Sequence, residues 1–433
     1  MNTIISETRL IVKEIDHTKG GAQLDTDNAI IYRTSSLSLS TEARTSAAQL
    51  SGEIPVVDGY LPQPGSLCIL EATNDDGEFV RVFVGFIFSY SVDRWGVVSF
   101  TAFDAMRYLQ NPATGKWMGE DGMDISEIIR DIVRSCGLEA MAEEMQLQQV
   151  GVKPIRLIKI AEKGIDIIDE LLEWAQLKAT ANENGVTTKG GETYAATRPG
   201  ERWVFFDNCG VLTLCTANQM NQVVLGTNEI PVIGTERGVT DISMSVGIDD
   251  SANTVWLLRA SDTGMSGWEA HDPENIVRWG PITYYEKIDN AYCRNDEQMQ
   301  LRAAIELCTR DIEKRTIDIN ALGLTGLRAG MLIRINLPWL SSYFGEVSKS
   351  KLVYLDSVSH TWEEGTHTMT LKAEALAGDI DLEIWKRMST KVLQPKRAKS
   401  TSSSDTQQTT ESEQPQEEQG FMSSLLSGIG NMF

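Results

Sequence analysis

The residues of this chain that could do chemistry lie closest together in one hairpin near its C-terminal end. His360, Glu363, Glu364 and His367 flank a turn at Gly365. Imidazole nitrogens and carboxylates on facing strands are ligands that Zn²⁺ or Ca²⁺ can take. The plainer interpretation is that a solvated hairpin tip needs polar side chains, and this interpretation is favoured. The sequence therefore predicts no metal ion and no cofactor at this tip.

Other combinations of catalytic residue types are weaker. Glu120 and Asp121 could be imagined as the two acids of a glycosidase, but adjacent carboxylates in a glycine-rich loop are usually just solvated. Cys209 and Cys215 flank a strand at a spacing that does not fit a zinc knuckle. The sequence contains no nucleophile elbow, phosphate-binding loop or His-Glu-x-x-His helix. We therefore predict that the protein is not an enzyme.

The tryptophans raise a carbohydrate-binding hypothesis, because indole rings stack on sugar faces. The chain has 10 Trp residues. Most of them, such as Trp203, Trp256 and Trp385, lie in apolar strand or helix patterns. Core packing is therefore the favoured interpretation of these residues.

Charge and composition exclude several classes of function. The chain has 39 basic and 61 acidic residues, which gives a formal net charge of −22. Binding to nucleic acid depends on clustered cations, so we predict no specific nucleic-acid binding; an acidic surface would instead let passing DNA slide. No run of about 18 apolar residues exists, and we predict no membrane span. The six Cys residues are scattered through apolar segments, as buried thiols in a reducing compartment are.

The elements that must position these residues include a pattern that occurs twice. In the first copy, Pro64–Ile69 leads into a strand, Val80–Phe88 is a long apolar strand, Asp93–Gly96 is a turn, and Val97–Phe103 is the return strand. In the long strand, the side chains that point to either face are apolar. This pattern predicts a strand that is covered on two faces, as in a core or an interface.

The same order recurs 265 residues later, counted from Gly65 to Gly330. Ala329–Ile335 leads into Leu352–His360, and a turn at Glu363–Gly365 precedes the return strand. Each copy has a serine shortly before the turn and a threonine in the return strand: Ser89 and Thr101 in the first, Ser359 and Thr370 in the second. A repeat of this length predicts one β-module used twice. Two modules per subunit would let a trimer present six similar surfaces.

We predict an α+β fold, mainly β, with two similar tube-type β-barrel domains and a small α/β insertion between them. In the insertion, the residues after Asp124 or Ser126 have helical spacing up to Gly137, and a second helix is predicted at Ile165–Leu177. The predicted order is a first β-domain at 1–112, the insertion at 113–235, a second β-domain at 236–378 with an internal helix at about 296–314, and a short helix at 379–394.

The C-terminal residues differ in composition from the rest of the chain. Residues 395–420 are mostly Ser, Thr, Gln and Glu, and they cannot bury enough apolar surface to offset their ordering entropy, which predicts a disordered acidic and polar tether. Residues 421–433 are apolar at helical spacing. They lack the basic residues that attract a helix to anionic lipid, so the predicted target is a groove of a partner protein. The predicted docking residues are Phe421, Met422, Leu425, Leu426, Ile429, Met432 and Phe433.

Two segments carry a resemblance to a known family. The first runs through Gly85–Phe88 and Ser99–Leu109 and is followed by a helix. The second is Leu327–Leu337 together with Val353–Leu371. Both resemble the baseplate hub proteins of phage contractile tails and phage-tail-like particles, in which a Thr-Ala-Tyr/Phe-Asp strand end and an Arg-Tyr-Leu motif precede a small inserted domain. The residues that match the closing hairpin of that family are Val353, Ser357, Val358, His360, Trp362, Gly365, His367, Met369 and Leu371.

The resemblance implies a structural baseplate hub, a homotrimer with pseudo-sixfold symmetry. Its ring would join the hexameric tail tube protein above to the trimeric central spike below, with the tape-measure and other baseplate proteins as further partners. The protein would be made in the host bacterial cytoplasm and would reside in a virion or a tail-like bacteriocin. The alternative is a tail-tip protein that binds the cell wall or degrades peptidoglycan.

Overall fold

The protein is described here from a computed structural model. The described residues are 7–15, 29–33, 36–43, 46–57, 59–118, 122–154, 156–176, 180–181, 186–187, 193–194, 197–198, 202–234, 238–261, 264–288, 299, 302–303, 306–307, 310–311, 313–336, 351–375 and 396–398.

The described residues form strands and helices with the following bounds. The strands of the first half are β1 (Thr8–Lys13), β2 (Ile30–Tyr32), β3 (Ser36–Glu42), β4 (Gln49–Pro55), β5 (Leu67–Thr73), β6 (Phe79–Val92), β7 (Val97–Phe103), β8 (Pro112–Met118), β9 (Gln146–Leu147), β10 (Arg156–Lys163), β11 (Thr180–Ala181), β12 (Val186–Thr187), β13 (Thr193–Tyr194) and β14 (Thr197–Arg198). The later strands are β15 (Trp203–Asn208), β16 (Val211–Thr216), β17 (Val232–Gly234), β18 (Asp241–Gly247), β19 (Thr254–Ser261), β20 (Gly264–His271), β21 (Thr283–Ile288), β22 (Lys314–Leu322), β23 (Leu332–Asn336), β24 (Lys351–Glu363), β25 (Thr366–Ala375) and β26 (Lys396–Ala398). The helices are a 3-10 helix at Ala105–Gln110, α1 (Ile125–Ser135), α2 (Glu139–Glu144), α3 (Gly164–Gln176), α4 (Ala217–Leu225) and α5 (Pro273–Trp279).

One large sheet of 13 strands contains both copies of the repeated pattern. Its order is β18-β22-β25-β24-β3-β4-β7-β6-β5-β1-β2, with β23 on β24 and β17 on β23. The prediction of a mainly β fold is confirmed. The order is open at β18 and at β2, so the described strands close no barrel, and the two separate barrels of the prediction are not seen among them. Strands from both copies share a single sheet because β24 pairs with β3.

The two copies form sets of five strands in the same spatial order. The first module is β3-β4-β7-β6-β5, and the second module is β18-β22-β25-β24-β23. In each module the longest strand pairs with the return strand on one side and with the strand after the repeated glycine on the other. The repeat seen in the sequence is therefore a repeat of topology.

The repeated glycines have the same conformation and the same hydrogen bonds. The φ angle is 90° at Gly65 and 92° at Gly330, in the region that favours glycine. Gly65 N–H donates to the carbonyl oxygen of Ile87 at 2.7 Å, and Gly330 N–H donates to that of Leu355 at 2.8 Å. The N–H groups of Ile87 and Leu355 each donate back, at 2.9 Å, to the residue after the glycine. Ile87 and Leu355 are therefore equivalent positions.

A β-bulge follows each of these two positions. The register shifts between Ile87 and Ser89 in the first module and between Leu355 and Ser357 in the second. Ser89 is therefore equivalent to Ser357, and the sequence comparison that related it to Ser359 was wrong by two residues. The error arose because the spacing was judged from the turn, and the second hairpin extends two residues further beyond its bulge.

After its bulge, the long strand of the second module leaves β23 and pairs with the first module. Ser357 lies opposite Glu42, and the ladder continues to Glu363 opposite Ser36. We call this β24–β3 ladder the module junction. In β3 the side chains of Leu37, Leu39 and Thr41 are buried, whereas the serines between them are not. This alternation fixes the register, because a slip by one residue would expose the buried set.

The long strand of the first module is covered on both faces, as predicted. Phe83 and Ile87 belong to one apolar cluster, and Val84 and Phe86 belong to another. All four side chains are buried. Such a strand needs packing on two sides, and on the side of Val84 and Phe86 the partly buried Tyr108 and Cys209 pack against the cluster.

The predicted helices of the insertion are confirmed. The Asp124 carboxylate accepts from the N–H of Ser126 at 3.0 Å, and the Glu127 carboxylate accepts from the N–H of Asp124 at 3.1 Å, which makes a capping box at the start of α1. Gly137, with a φ of 90°, follows the end of that helix. The second predicted helix is α3, and both pack with β15 and β16 in one apolar core.

A smaller sheet, β21-β19-β20-β26, lies between parts of the second module in the chain. Helical residues Met299, Ala303 and Leu307 pack against it. The predicted helix at about 296–314 is too long at its end, because Lys314 begins β22. From Lys314 onward the chain pairs with β18, and from Thr316 it pairs with β25 as well.

The chain divides into a unit of residues 1–398 and a unit of residues 399–433. The second unit, with the predicted docking residues from Phe421 to Phe433, lies outside the described residues, as does the predicted helix at 379–394. Within the range predicted as a tether, residues 396–398 form β26 and pair with β20. Across the described part of the chain, no helix combines the length and apolar character that crossing a membrane requires.

Candidate functional site

The four residues of the hypothetical metal site do not converge. His360 and His367 are buried inside the hairpin, whereas Glu363 and Glu364 are exposed at its tip. The distance from His360 Nδ1 to His367 Nε2 is 3.0 Å. Among the residues that the structure describes, no three His, Cys, Asp or Glu side chains are grouped to hold a metal ion. Glu120 and Asp121, the other acidic candidates, lie outside the described residues.

The two histidines form a neutral hydrogen-bonded pair. His360 Nε2 lies 2.6 Å from the carbonyl oxygen of Leu327, which can only accept, so this nitrogen carries the hydrogen. His360 Nδ1 then accepts from His367 Nε2. Burial lowers the pKa of His360 to about 4 and that of His367 to about 3, the latter helped by the neighbouring His360. Trp362 stacks on His367 with ring centroids 4.6 Å apart, so the pair braces the hairpin beside the module junction.

A pair of buried carboxylates lies where the first module meets the insertion. Asp104 accepts from the N–H of Met106 at 3.1 Å and caps the 3-10 helix. Asp207, next to the last residue of β15, accepts from the N–H of Ala105 at 3.1 Å and from that of Gly210 at 2.5 Å. We call Asp104 and Asp207 the acid pair. Its hydrogen bonds hold the turn of the insertion against the first module.

The surroundings of the acid pair disfavour two negative charges. Burial, and then the charge of Asp207, raises the pKa of Asp104 well above its usual value. Burial also raises the pKa of Asp207. Arg328 of the second module opposes both effects, and its Nη1 donates to the backbone carbonyl oxygen of Asp207 at 2.7 Å. The charges on Asp104 and Asp207 therefore depend on contacts between three parts of the chain.

A cavity of about 240 Å³ adjoins the acid pair, and its walls include Cys209, Arg328 and His360. A thiol beside a histidine could suggest a nucleophile. Burial, however, raises the pKa of Cys209 to about 11, so the reactive thiolate is scarce near neutral pH. Cys209 is therefore a weak nucleophile near neutral pH.

Hydroxyl groups of two threonines form hydrogen bonds between the two modules. Thr41 Oγ1 of β3 accepts from the N–H of Ala329 at 3.0 Å and donates to the carbonyl oxygen of Val358 at 3.4 Å. Thr325 Oγ1 donates to the carbonyl oxygen of Thr73 at 2.8 Å. Side chains of one module thus satisfy backbone groups of the other, which fixes their relative position.

Sequence reasoning missed Asp207, Arg328 and Thr41. Asp207 precedes Asn208, Cys209 and Gly210 between two apolar strands, a pattern that also fits an ordinary solvated turn. The only available signal was an acidic residue directly after the apolar run of β15. Asp104 stands in a segment that carries the family resemblance, but its role depends on a contact that spacing does not reveal.

Besides the outer edges of β2 and β17, the described residues of the large sheet leave two further strand edges open. One is the outer edge of β18, at the end of the strand order. The other is the outer edge of Ser89–Val92 in β6, beyond the last residue paired with β5. Val92 is 43% exposed and Val246 of β18 is 52% exposed. Neither edge contains the lysine or proline that usually guards a free strand, which is typical of edges that another strand covers.

Comparison with known proteins agrees with this topology. A family profile described as YQBQ-like matches residues 37–374. The chain belongs to the YQBQ-like family. A curated relative, the uncharacterized protein YqbQ of Bacillus subtilis (strain 168), is 29% identical over 145 residues, which is 33% of this chain. The match spans 42% of the length of that relative.

Solved tail proteins share the fold of this YQBQ-like chain. The tail protein from Neisseria meningitidis MC58 superimposes with a TM-score of 0.57 at 12% identity, over 85% of this chain and 96% of that one. The 43 kDa tail protein of prophage MuSo2 from Shewanella oneidensis gives 0.53 at 10% identity, over 86% and 99%. A chain of the Francisella PdpA-VgrG complex gives 0.51 at 11% identity, over 87% of this chain and 54% of that one. The predicted likeness to the phage tail and baseplate type is confirmed at the level of fold.

Proposed function

We propose that this protein is the structural hub of a contractile tail baseplate, in a phage or a tail-like bacteriocin. Three copies would form a ring with pseudo-sixfold symmetry between the hexameric tail tube and the trimeric central spike. The observation that carries this proposal is the presence of two modules with one topology in one continuous sheet, with the same glycine turn and the same bulge.

The duplication supplies what a symmetry adaptor needs. A sixfold ring and a threefold spike share no closed symmetric interface unless each subunit of the trimer offers its contact twice. The module junction holds the two modules side by side, so their equivalent edges face the same way along the sheet. We propose that the predicted tube-type barrel is formed by strands of several subunits together.

The remaining partners follow from the position of a hub between tube and spike. One end would contact the tail tube protein and the other the spike, with residues 395–420 as a tether to the apolar docking residues from Phe421 to Phe433. Those residues would bind the tape-measure protein or another baseplate protein. The net charge of −22 supports a wall that DNA passes without binding.

Native mass spectrometry of the full chain tests the proposal. We expect a complex of three times the 47.9 kDa subunit mass. Electron microscopy of the parent particle, labelled with an antibody against this chain, should show the label where the tube meets the spike. A folded monomer at micromolar concentration, or a label elsewhere on the particle, would contradict the proposal.

A further inference from the structure

We infer that neighbouring copies of this chain join by strand pairing between the open edge of Ser89–Val92 and the open edge of β18, with Ser91 of one copy opposite Ser245 of the next. This inference rests on the proposed function, because it names the contact by which the ring would close. The partner it specifies is a second copy of this chain, and the argument comes from the junction that the chain already makes with itself.

The module junction is the template. Within one chain, the residues after the bulge of β24 pair with β3, with Ser359 opposite Ser40 and His360 opposite Leu39. The N–H of Ala43 extends this ladder by donating to the carbonyl oxygen of the bulge residue, Asp356, at 2.6 Å. The second module thus shows how a post-bulge strand accepts the outer strand of the next module.

Each half of this template has an unpaired equivalent. Ile87 is equivalent to Leu355, so Ser89–Val92 are equivalent to residues 357–360 of β24. Ala102 and Ala373 lie opposite those two positions, and they pair in turn with Leu50 and Ile317. Leu50 pairs next with Leu39 of β3, and Ile317 pairs next with Met244 of β18. Strand β18 is therefore the equivalent of β3, and Met244 is the equivalent of Leu39.

The template therefore sets a register between copies. Because His360 pairs with Leu39, Val92 should pair with Met244. Counting along the two antiparallel strands gives the remaining pairs, which are Ser91 with Ser245, Tyr90 with Val246 and Ser89 with Gly247. The carbonyl oxygen of Phe88, the bulge residue, would accept from the N–H of Ile248.

The direction of the backbone groups supports this register independently. Asp93 N–H donates to the Val97 carbonyl oxygen at 2.9 Å, and hydrogen bonding alternates along an antiparallel pair, so Tyr90 and Val92 point their N–H groups away from β7. The same alternation applies to β22. Gly323 N–H donates to the His367 carbonyl oxygen of β25 at 2.8 Å, so every second residue from Gly323 bonds to β25. Thr316 and Asp318 are the residues between, and they bond to β18. Their partners Ser245 and Ser243 face inward, so Met244 and Val246 face the open edge.

The outward groups of both edges fall opposite each other in the inferred register. Val92 meets Met244, and Tyr90 meets Val246. A shift by one residue would set the outward groups of one strand against the inward groups of the other, and it would leave them without hydrogen bonds. The register taken from the module junction is therefore also one that satisfies the backbone.

The side chains fit in the same way. Tyr90 and Val92 lie on the face of Phe100 and Val98, and Met244 lies on the face of the buried Ile317, so pairing would bury apolar side chains together on one side. Small polar residues, Ser91 and Ser245 among them, would occupy the other side. The two edges are separated by six strands in the sheet order and do not pair with each other within the chain, which leaves both available to another copy.

Disulfide cross-linking of the full chain tests the inference. Ser91 and Ser245 would form a non-hydrogen-bonded pair, in which Cα atoms lie about 4.5 Å apart, within the range that a disulfide spans. We expect Ser91→Cys/Ser245→Cys to give covalent dimers and trimers on mild oxidation, with yields at least about fivefold above each single variant. The matched control is Ser91→Cys/Ser243→Cys, whose partners share a face but lie diagonally at about 7–8 Å and should cross-link poorly.

A second variant interrupts the pairing without cysteines. Val246→Pro removes an outward N–H from an edge strand, where proline is tolerated, and leaves the bonds to β22 in place. We expect a folded protein, by circular dichroism, that no longer forms the trimer. Ser40→Cys/Ser359→Cys should form a disulfide within one chain and shows that the template geometry is correct.

The outcomes separate this inference from the proposed function. A trimer that cross-links through Ser91→Cys/Ser245→Cys and is lost in Val246→Pro supports both. A trimer that fails to cross-link at this pair, or that survives Val246→Pro, overturns the inferred contact and leaves the hub standing. A wild-type protein that is monomeric at micromolar concentration overturns both.

Discussion

His360 and His367 lie on facing strands of a hairpin whose tip carries the exposed Glu363 and Glu364, and His360 Nδ1 lies 3.0 Å from His367 Nε2 in the interior. The unfolded chain can protonate both rings below their ordinary pKa of 6.5, whereas the folded protein resists protonation until about pH 4 and about pH 3. The folded state binds fewer protons in this window. The contribution of the two histidines to the unfolding free energy is therefore present above about pH 6.5 and is lost as the pH falls toward 4.

We predict that each of these histidines costs about 2 kcal/mol of unfolding free energy between pH 7 and pH 5. His367→Gln should reduce this loss by about half, because one titrating ring is removed. Urea unfolding at both pH values measures it. His271→Gln, at a side chain that is 42% exposed, is the control for the removal of a histidine. An unaltered slope in His367→Gln would contradict the prediction.

The acid pair predicts the opposite dependence on pH. The raised pKa of Asp104 means that the folded protein keeps a proton that the unfolded chain has already released. This contribution is present at low pH and is lost as the pH rises through the raised pKa. Asp104→Asn keeps an oxygen to cap Met106 and carries no charge, so its stability relative to wild type should be higher at pH 8 than at pH 5. Urea unfolding would contradict this if the difference were equal at both, and exposed Asp76→Asn provides the comparison.

The parts of the fold that the sequence predicts correctly depend on residues close together in the chain. The glycine turns at Gly65 and Gly330 and the alternating strands after them depend on neighbouring residues, as does the capped helix after Asp124. The pairing of His360 with Leu39 joins residues that are far apart in the chain, and no local spacing specifies it. For the same reason the two modules were expected as separate barrels.

The acid pair shows the same limit at the level of single side chains. Asp104 and Asp207 are brought together by the packing of the insertion on the first module. Each of them alone has the sequence context of a cap or a turn residue. Only the tertiary contact turns two ordinary carboxylates into a coupled, buried pair.

Asp124 should be among the most sensitive positions of the insertion. Besides its bonds within the capping box, its carboxylate accepts from the N–H of Val150 at 3.0 Å and from that of Gly151 at 2.6 Å. We expect Asp124→Ala to lower the unfolding free energy by about 2–4 kcal/mol, because a cap is lost and buried donors are left without it. Asp131→Ala, on the exposed face of α1, should change it by less than about 0.5 kcal/mol. Equal effects in urea unfolding would show that the cap is not decisive.

The apolar docking residues should matter for particle assembly and not for the trimer. Removal of residues 399–433 leaves β26 in place and takes away the separate C-terminal unit. We expect an intact trimer by native mass spectrometry and a clear drop in the amount of this chain in purified tail particles. Leu425→Ser/Ile429→Ser should reproduce the drop, and Ser423→Ala/Ser424→Ala should not. Unchanged incorporation of the truncated chain would contradict docking through this segment.

The equivalence of the two repeated glycines can be tested by comparing the unfolding free energies of their alanine variants. Alanine at φ near 90° is strained in either module, so Gly65→Ala and Gly330→Ala should each cost about 1–3 kcal/mol of unfolding free energy. Gly330→Ala should cost more, because a Cβ there would lie 2.6 Å from Met220 Sδ. Gly247→Ala is the control, since its Cβ would meet only Asp249 Oδ2 at 3.4 Å. Urea unfolding of the three variants should therefore rank Gly330, Gly65 and Gly247 in that order. A neutral effect at Gly65 beside a large one at Gly330 would mean that the two turns are not energetically equivalent, and that the modules share a strand order without sharing the turn that sets it.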